Sequence, residues 1–354
     1  MLIARAPVRL SLAGGGTDLP AYYQQRSGLV ISTSIDRYIY AFVRLSSGDS
    51  VQITSSDYQT MFRQPHDAPL AWDGDLALPR AFLHHFGLDR GLSIFLASEV
   101  PPGTGLGSSS AASVALARAL GGLVGMSQTR AQLAELAIHV EIEKLHFPIG
   151  HQDQYASAFG GFNAISFRRD GVEVNPIALP PEVESALEQR LMLFFTGLSH
   201  DSPTILREQR TSSERGDPDV IVALDRILEL AHETLEVLRS GDLDAYGALL
   251  DASWTAKKRL ARGVSTAQID EWYALARESG ATGGKITGAG GGGFLLLYCR
   301  EAFQPAVTAA LEKRGLVRMD FGFEQGGAML LMDAMPHTRS FGHPALAGIE
   351  RPVA

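Results

Sequence analysis

The stretch PPGTGLGSSS, Pro101 to Ser110, decides how this chain is read. Before it, GLSIFLAS (91–98) has the apolar, β-branched character of a strand. After it, AASVALARALGGLVG (111–125) has the small and apolar residues of a buried helix. A strand, a glycine loop and a serine run that opens a helix aim free backbone N–H groups and the positive helix end at one point. That arrangement suits phosphate. Pro102, Gly103, Gly105, Gly107, Ser108, Ser109 and Ser110 are therefore candidate phosphate-binding residues, and a serine hydroxyl is a candidate Mg2+ ligand. The loop is not a Walker A loop, because no Gly-Lys-Ser/Thr follows, and its G-x-G-x-G spacing is not the dinucleotide fingerprint.

Two further glycine clusters flank this one. Thirteen of the 37 glycines fall in Gly14–Gly16, in Gly103/Gly105/Gly107 and between Gly283 and Gly293. Glycine there gives close backbone approach at an entropic cost, and three such clusters point to a ligand. In GGKITGAGGGGF (283–294), four consecutive glycines precede the good strand FLLLYC, and Lys285 is one of only five lysines. A backbone nest closing over nucleotide phosphates accounts for both, with Lys285, Gly290 and Gly291 as contacts. Between the second and third clusters lies VEIEKLHFPIGHQDQYASAFGG (140–161), with Glu141, Glu143 and Asp153. Carboxylates so near a phosphate loop call for a divalent cation between them and the ligand. A metal held by a glutamate and a serine, with a second carboxylate near an acceptor hydroxyl, is what phosphoryl transfer requires. Glu143 reads as a solvated helix residue.

The rest of the chain frames these motifs. Its 354 residues suggest about two domains. With 45% apolar and 20% charged residues it is globular, and a net charge of −8 argues against nucleic acid or an anionic membrane as a main partner. A single cysteine, Cys299, excludes an internal disulfide, and no apolar run reaches the ~18 residues of a membrane span. The opening MLIARAPVRL does not read as a signal peptide, so a cytoplasmic location is expected. Strand patterns fall near 2–12, 29–34, 37–45, 50–55, 91–97, 161–168 and 189–196, and helical ones at 76–86, 108–124 and 128–146. Residues 202–277 read as mostly helical, followed by strands at 281–287, 292–299, 316–322 and 327–333 around a helix at 302–314. The expectation is an α+β chain with a domain over 1–190, a second over 191–340 and a surface tail over 341–354.

With the motifs in place, the chain resembles the GHMP kinases, the family of galactokinase, homoserine kinase, mevalonate kinase and phosphomevalonate kinase. APVRLSLAGGGTD (6–18) is similar to the family's motif 1, PPGTGLGSSSAAS to motif 2 and KITGAGGGGF to motif 3. The resemblance spans Arg5 to about Gly327. It implies the two-domain GHMP kinase fold: an N-terminal ribosomal-S5-like α/β domain followed by a C-terminal ferredoxin-like domain. It also implies ATP and Mg2+. Asp153 matches the aspartate that orients or deprotonates the acceptor hydroxyl, and Arg9 the cation that would keep it ionised. Glu141 and Ser109 match the metal ligands, and Asp18 the aspartate that grips sugar hydroxyls, with Gly15, Gly16 and Thr17 beside it. Within the family, AGGGTDLP, GHQDQYASAFGGFN and the four-glycine motif 3 are most similar to the heptose 7-phosphate kinases, which act on an anomeric hydroxyl. A sugar or sugar phosphate is thus the implied partner, and a homodimer is compatible with the resemblance.

One departure bears on the acceptor. Where that branch leads one to expect an arginine for the distal phosphate, TGLSHDSPTIL offers His200-Asp201, with Arg207, Arg210, Lys257 and Lys258 as the other cations. Fucose, another deoxysugar, or an octose or heptose derivative are the alternative acceptors, and a silent nucleotide- and sugar-binding regulator is the alternative class. Asp320-Phe321-Gly322 lacks the partner motifs of a protein kinase and reads as a strand end. Cys299, Trp254 and Trp272 read as core, and the histidines as surface or capping residues.

Overall fold

The computed structural model describes residues 1–46, 48–57, 59–65, 74, 76–198 and 202–334; the expected tail and His200-Asp201 lie outside them. Among the described residues two sheets form, one of nine strands and one of four. The larger is organised on Gly28–Leu45, an 18-residue strand. It pairs antiparallel with Leu2–Ala13 and, in turn, with Phe162–Arg168, Phe323–Glu324 and Leu92–Ser98. Leu92–Ser98 also pairs with Ser50–Ser55, in parallel. Under the sheet runs Ser108–Val124, buried on nearly every side because its residues are small or apolar, and ended by Gly125 in the left-handed region.

The smaller sheet orders Val317–Met319, Leu191–Phe195, Phe294–Tyr298 and Gly283–Ile286, all antiparallel. Ile269, Trp272 and Ala276 of one helix and Val307 and Leu311 of another pack on it with Cys299 in a separate core. Three helices of this half start on side-chain caps, Asp217 on the Asp219 N–H, Asp242 on the Ala245 N–H and Thr266 on the Ile269 N–H. Residue 191 begins the first strand of the smaller sheet, but Phe323–Glu324 and Met329–Asp333 return to the larger one. No described helix is long and apolar enough to cross a membrane.

The two sheets meet through glycine. A Cβ on Gly105 would lie 2.5 Å from the Thr287 carbonyl oxygen, one on Gly288 2.4 Å from the Gly105 Cα, and one on Gly293 2.4 Å from the Thr104 carbonyl oxygen. Thr287 Oγ1 donates to the Thr104 carbonyl at 3.0 Å across the same seam. The second and third glycine clusters are therefore pressed backbone to backbone. Gly105→Ala should cost roughly 2–5 kcal/mol, by strain at φ +79° and by forcing that seam open. Gly103, at φ +70° with nothing within 4 Å of its Cβ position, should cost only ~1–2 kcal/mol. Urea unfolding of both alanine variants checks this; equal midpoints would contradict it.

Candidate active site

Arg9 sits just beyond a β-bulge, where the pairing register of its strand shifts between Pro7 and Arg9. Its backbone N–H donates to the Leu106 carbonyl at 2.9 Å, tying the strand to the glycine loop. Arg9 is 3% exposed, and its guanidinium donates from Nη1 to the Gly105 carbonyl at 2.6 Å. Nε and Nη2 both reach Asp153 Oδ1, at 2.8 and 2.7 Å. Oδ2 is left facing Gly107, where a Cβ would approach to 3.2 Å; the glycine gives that oxygen clearance. Burial pushes the Asp153 carboxyl above its ordinary value, and Arg9 pulls it back only in part. The sequence led us to expect Arg9 to dominate. In the structure desolvation outweighs it, which makes the carboxylate a better proton acceptor.

Asp153 opens the helix Gln152–Phe159, whose first turn serves three carboxylates. Gln152 donates from its backbone N–H to Asp18 Oδ2 at 3.1 Å and from Nε2 to Asp18 Oδ1 at 3.0 Å. Gln154 Nε2 donates to Glu141 Oε2 at 2.8 Å. Glu141 is fully buried and lies in a π-helical turn, His139–Lys144, that continues the capped helix Arg130–Ile138. The wider turn is a frequent feature of functional sites. Ser109 Oγ donates to Glu141 Oε1 at 2.9 Å, and Ser110 Oγ to the same oxygen at 3.4 Å. Burial still outweighs these bonds and raises the Glu141 carboxyl to about 7.

Two cavities flank the loop. One, of about 220 Å³, is lined by Pro102, Gly103, Ser108 and Ser109 together with apolar Ile39 and Leu96. The other, of about 90 Å³, is lined by Arg9, Gly15, Gly16, Asp18, Asp153 and Lys257, among others. Asp18 is 1% exposed and also accepts the Gly16 N–H at 2.9 Å. Four buried polar atoms on this second cavity's lining residues have no hydrogen-bond partner: Ser11 Oγ, Gln152 Oε1, Gln209 Nε2 and Ser253 Oγ. They are donors and acceptors in mixture.

The structure thus brings Arg9, Asp153, Gly105 and Gly107 together, and Ser109 with Glu141. Gly15, Gly16 and Asp18 line the second cavity as a group. Thr17 is placed differently: it is fully buried and its hydroxyl donates to the Gly14 and Leu29 carbonyls at 2.8 and 3.1 Å, so it shapes the turn. Lys285 lies on the second cavity with Arg9 rather than beside Pro102 and Ser108, its Nζ 3.4 Å from the Leu12 carbonyl. A Cβ on Gly290 would meet Val264, and the Gly291 N–H donates to the Val264 carbonyl at 2.8 Å. Sequence reasoning missed Gln152, Gln154, Gln209, Ser11 and Ser253; only the run Gln152-Asp153-Gln154, polar within an apolar stretch, was a usable signal.

Comparison with known proteins accords with this geometry. Residues 76–161 match the family description "GHMP kinases N terminal domain" and residues 234–315 "GHMP kinases C terminal". A D-glycero-alpha-D-manno-heptose 7-phosphate kinase of Campylobacter jejuni is 31% identical over 329 residues, 91% of this chain and 96% of that one. A bifunctional fucokinase/GDP-fucose pyrophosphorylase of Arabidopsis thaliana is 26% identical over 84% of this chain and 30% of its own length. The crystal structure of a D-glycero-D-manno-heptose 1-phosphate kinase from Bacteroides thetaiotaomicron superposes with a TM-score of 0.78 at 26% identity, covering 95% of this chain and all of that one. Three glycine clusters in family order, an arginine–aspartate pair at their junction and these likenesses lead to one conclusion: the chain belongs to the GHMP kinases, ATP-dependent phosphotransferases of two-domain α+β fold.

Proposed function

We propose that this chain transfers the terminal phosphoryl group of ATP to the anomeric hydroxyl of a heptose 7-phosphate-like sugar. The observation that carries the reading is the Arg9–Asp153 pair, held between the phosphate loop and a small cavity rich in unpartnered polar atoms. Hydroxyls, amides and a carboxylate in mixture are what a polyol satisfies, since each sugar hydroxyl both donates and accepts. Asp18, flanked by Gly15 and Gly16, grips sugar hydroxyls from one side, and Gln209 and Ser253 complete the lining. The 31%-identical relative is named for a heptose 7-phosphate, which supports that acceptor class.

On this reading Pro102, Gly103, Ser108 and Ser109 receive the nucleotide, and the apolar floor of Ile39 and Leu96 suits its base. Asp153 Oδ2 takes the acceptor proton as the acceptor oxygen bonds to the terminal phosphorus and the bond to the bridging oxygen of ADP breaks. Arg9 neutralises the moving charge and fixes the carboxylate's orientation through Oδ1. Ser109 and Glu141 fit Mg2+ by donor chemistry: a hydroxyl and a carboxylate, hard oxygen donors within 2.9 Å of each other, and Mg2+ is commonly held by one or two carboxylates plus phosphate oxygens. Bound there, the cation would neutralise phosphate charge. Gln154 orients Glu141 from behind.

Two outcomes test this. Wild-type chain supplied with Mg-ATP and a panel of sugars and sugar phosphates should release ADP fastest with a heptose 7-phosphate and yield the 1-phosphate by NMR. Asp153→Asn should lose about 10³-fold in kcat while nucleotide affinity stays within twofold; an unaltered kcat would overturn the role. The second concerns pH. The Glu141 carboxyl titrates near 7 in the folded chain against 4.5 ordinarily, so the folded state keeps a proton the unfolded state gives up. Stability from this group therefore falls as pH rises from about 4.5 to about 7, by on the order of 3 kcal/mol. In EDTA, denaturation curves across pH 5–8 should show this loss for wild type and not for Glu141→Gln; parallel curves would contradict it.

A further inference from the structure

Lys257, the last residue of the helix Leu243–Lys257, lines the acceptor cavity beside Arg9 and Lys285, and the mechanism above leaves it unused. Three other cations of this half are engaged elsewhere. Arg207 Nε donates to the Pro203 carbonyl of its own helix, Arg210 pairs with Glu214 and Lys258 with Asp270, all at exposed positions. Lys257 instead donates from Nζ to the Gly288 carbonyl, with the Ile286 carbonyl at 3.4 Å. An ammonium has three donors, so two carbonyl partners leave one for a ligand.

Its anchor places it at the reaction centre. Gly288 is the residue pressed against Gly105, and the Gly105 carbonyl accepts from Arg9 Nη1. Arg9 and Lys257 therefore grip the same backbone seam from the two halves of the chain. The charged groups that face Lys257 are Arg9, which repels it, and Asp18 and Asp153, which attract it; Lys285 adjoins as well. Asp153 is already matched by Arg9, and Asp18 by three N–H donors. Burial and its two cationic neighbours lower Lys285 well below the ordinary lysine range, whereas Lys257 has no carboxylate bonded to it and one donor left over at the cavity, which suits an anion.

We propose that Lys257 is a catalytic residue that binds the phosphoryl group in transit, opposite Arg9, rather than a distal phosphate on the sugar. The shared chemistry is a phosphate dianion. A group several bonds from the anomeric oxygen would lie away from Asp153, whereas Lys257 is set within the field of Asp153 and Arg9 together. Burial and Arg9 lower the lysine to about 8, so it is charged at neutral pH and begins to discharge just above it.

The inference rests on the kinase reading, and two separate comparisons keep them apart. Wild-type turnover on the sugar panel tests the reading; the ratio of variant to wild type tests Lys257, on whichever acceptor is used and on intrinsic ATP hydrolysis, which needs no sugar. Lys257→Met should lower kcat about 10²-fold or more, equally with phosphorylated and unphosphorylated acceptors, and leave both KM values within threefold. Lys257→Arg should recover part of the rate. It should also move the alkaline fall of kcat/KM, expected from about pH 8 in wild type, upward, because arginine keeps its charge. An unchanged kcat overturns the proposal. So does a rise confined to KM for the phosphorylated sugar, which would make Lys257 a distal-phosphate anchor. Equal loss in both variants with a lowered melting temperature also overturns it, as the mark of a purely structural lysine.

Discussion

Three carboxylates, Asp18 and Glu141 fully buried and Asp153 partly so, have to be held beside a loop built for phosphate, and the first turn of one helix makes that feasible. Successive residues on a helix point about 100° apart. Gln152, Asp153 and Gln154 therefore fan out to three separate places: an amide to Asp18, a carboxylate to Arg9 and an amide to Glu141. An isolated buried carboxylate costs several kcal/mol, and removing one donor exposes that cost in full. The other local departures serve the same constraint. The bulge before Arg9 aims the guanidinium, the π-helical turn carries Glu141 to Ser109, and Gly107 leaves room for Asp153 Oδ2.

Glycine plays a second part that a ligand-centred reading understates. The second and third clusters are packed against each other, and Gly14 and Gly28 are pressed in the same way, against the Leu29 and Thr17 carbonyls. The contacts of the second and third clusters seat the phosphate loop on backbone, and the Thr104 hydroxyl, donating to the Pro101 carbonyl at 2.8 Å, closes the loop on itself. Preorganised backbone N–H groups are effective for charge stabilisation because they need not reorganise during transfer. Gly105, Gly288 and Gly293 look free to bend in the sequence, yet in the folded chain a Cβ at any of them would meet backbone, whereas Gly103 faces open space.

Much of this was legible in the sequence. Period-two and helical patterns located the elements they named to within a few residues, but 29–34 and 37–45 form one strand, Gly28–Leu45, and Pro20–Arg26, Thr60–Pro65, Gln152–Phe159, Gly171–Pro176 and Pro181–Arg190 went unread because they are short or weakly patterned. The helix expected over 128–146 is α-helical only from Arg130 to Ile138 before its π-helical turn. Asp153 and Glu141 stood out because glycine and carboxylate in one neighbourhood have few uses, while Arg9 and the choice of Ser109 rested on the resemblance to the GHMP kinase motifs. What could not be read was pairing across the chain. Lys257 acquires its position from a contact with Gly288, and Gln209 and Ser253 theirs from helix packing, neither of which leaves a periodicity. Thr17 was misjudged for a related reason: a threonine beside a binding aspartate looks like a ligand contact, and only the turn geometry shows its hydroxyl engaged with backbone.

The division into two cavities has a consequence for how such a site changes its acceptor. The residues proposed for nucleotide and metal, Ser108, Ser109 and Glu141, lie on the buried helix and the π-helical turn beneath the larger sheet. Those proposed to read the acceptor come from Gly14–Gly16, from Gln209 and from Ser253, and so from a turn and from helices of the other half. A substitution among the acceptor-reading residues alters which hydroxyls find partners while Arg9, Asp153 and the phosphate loop stay in register. Gly15 and Gly16 matter in this respect because they leave the cavity wall without side chains. A side chain at 16 would run into Gln209 Nε2, 2.9 Å from its Cβ position, and so would take space from the cavity that both residues line. On the proposed reading, acceptor size would respond to side chains added at these two glycines, which line the same cavity as Arg9 and Asp153.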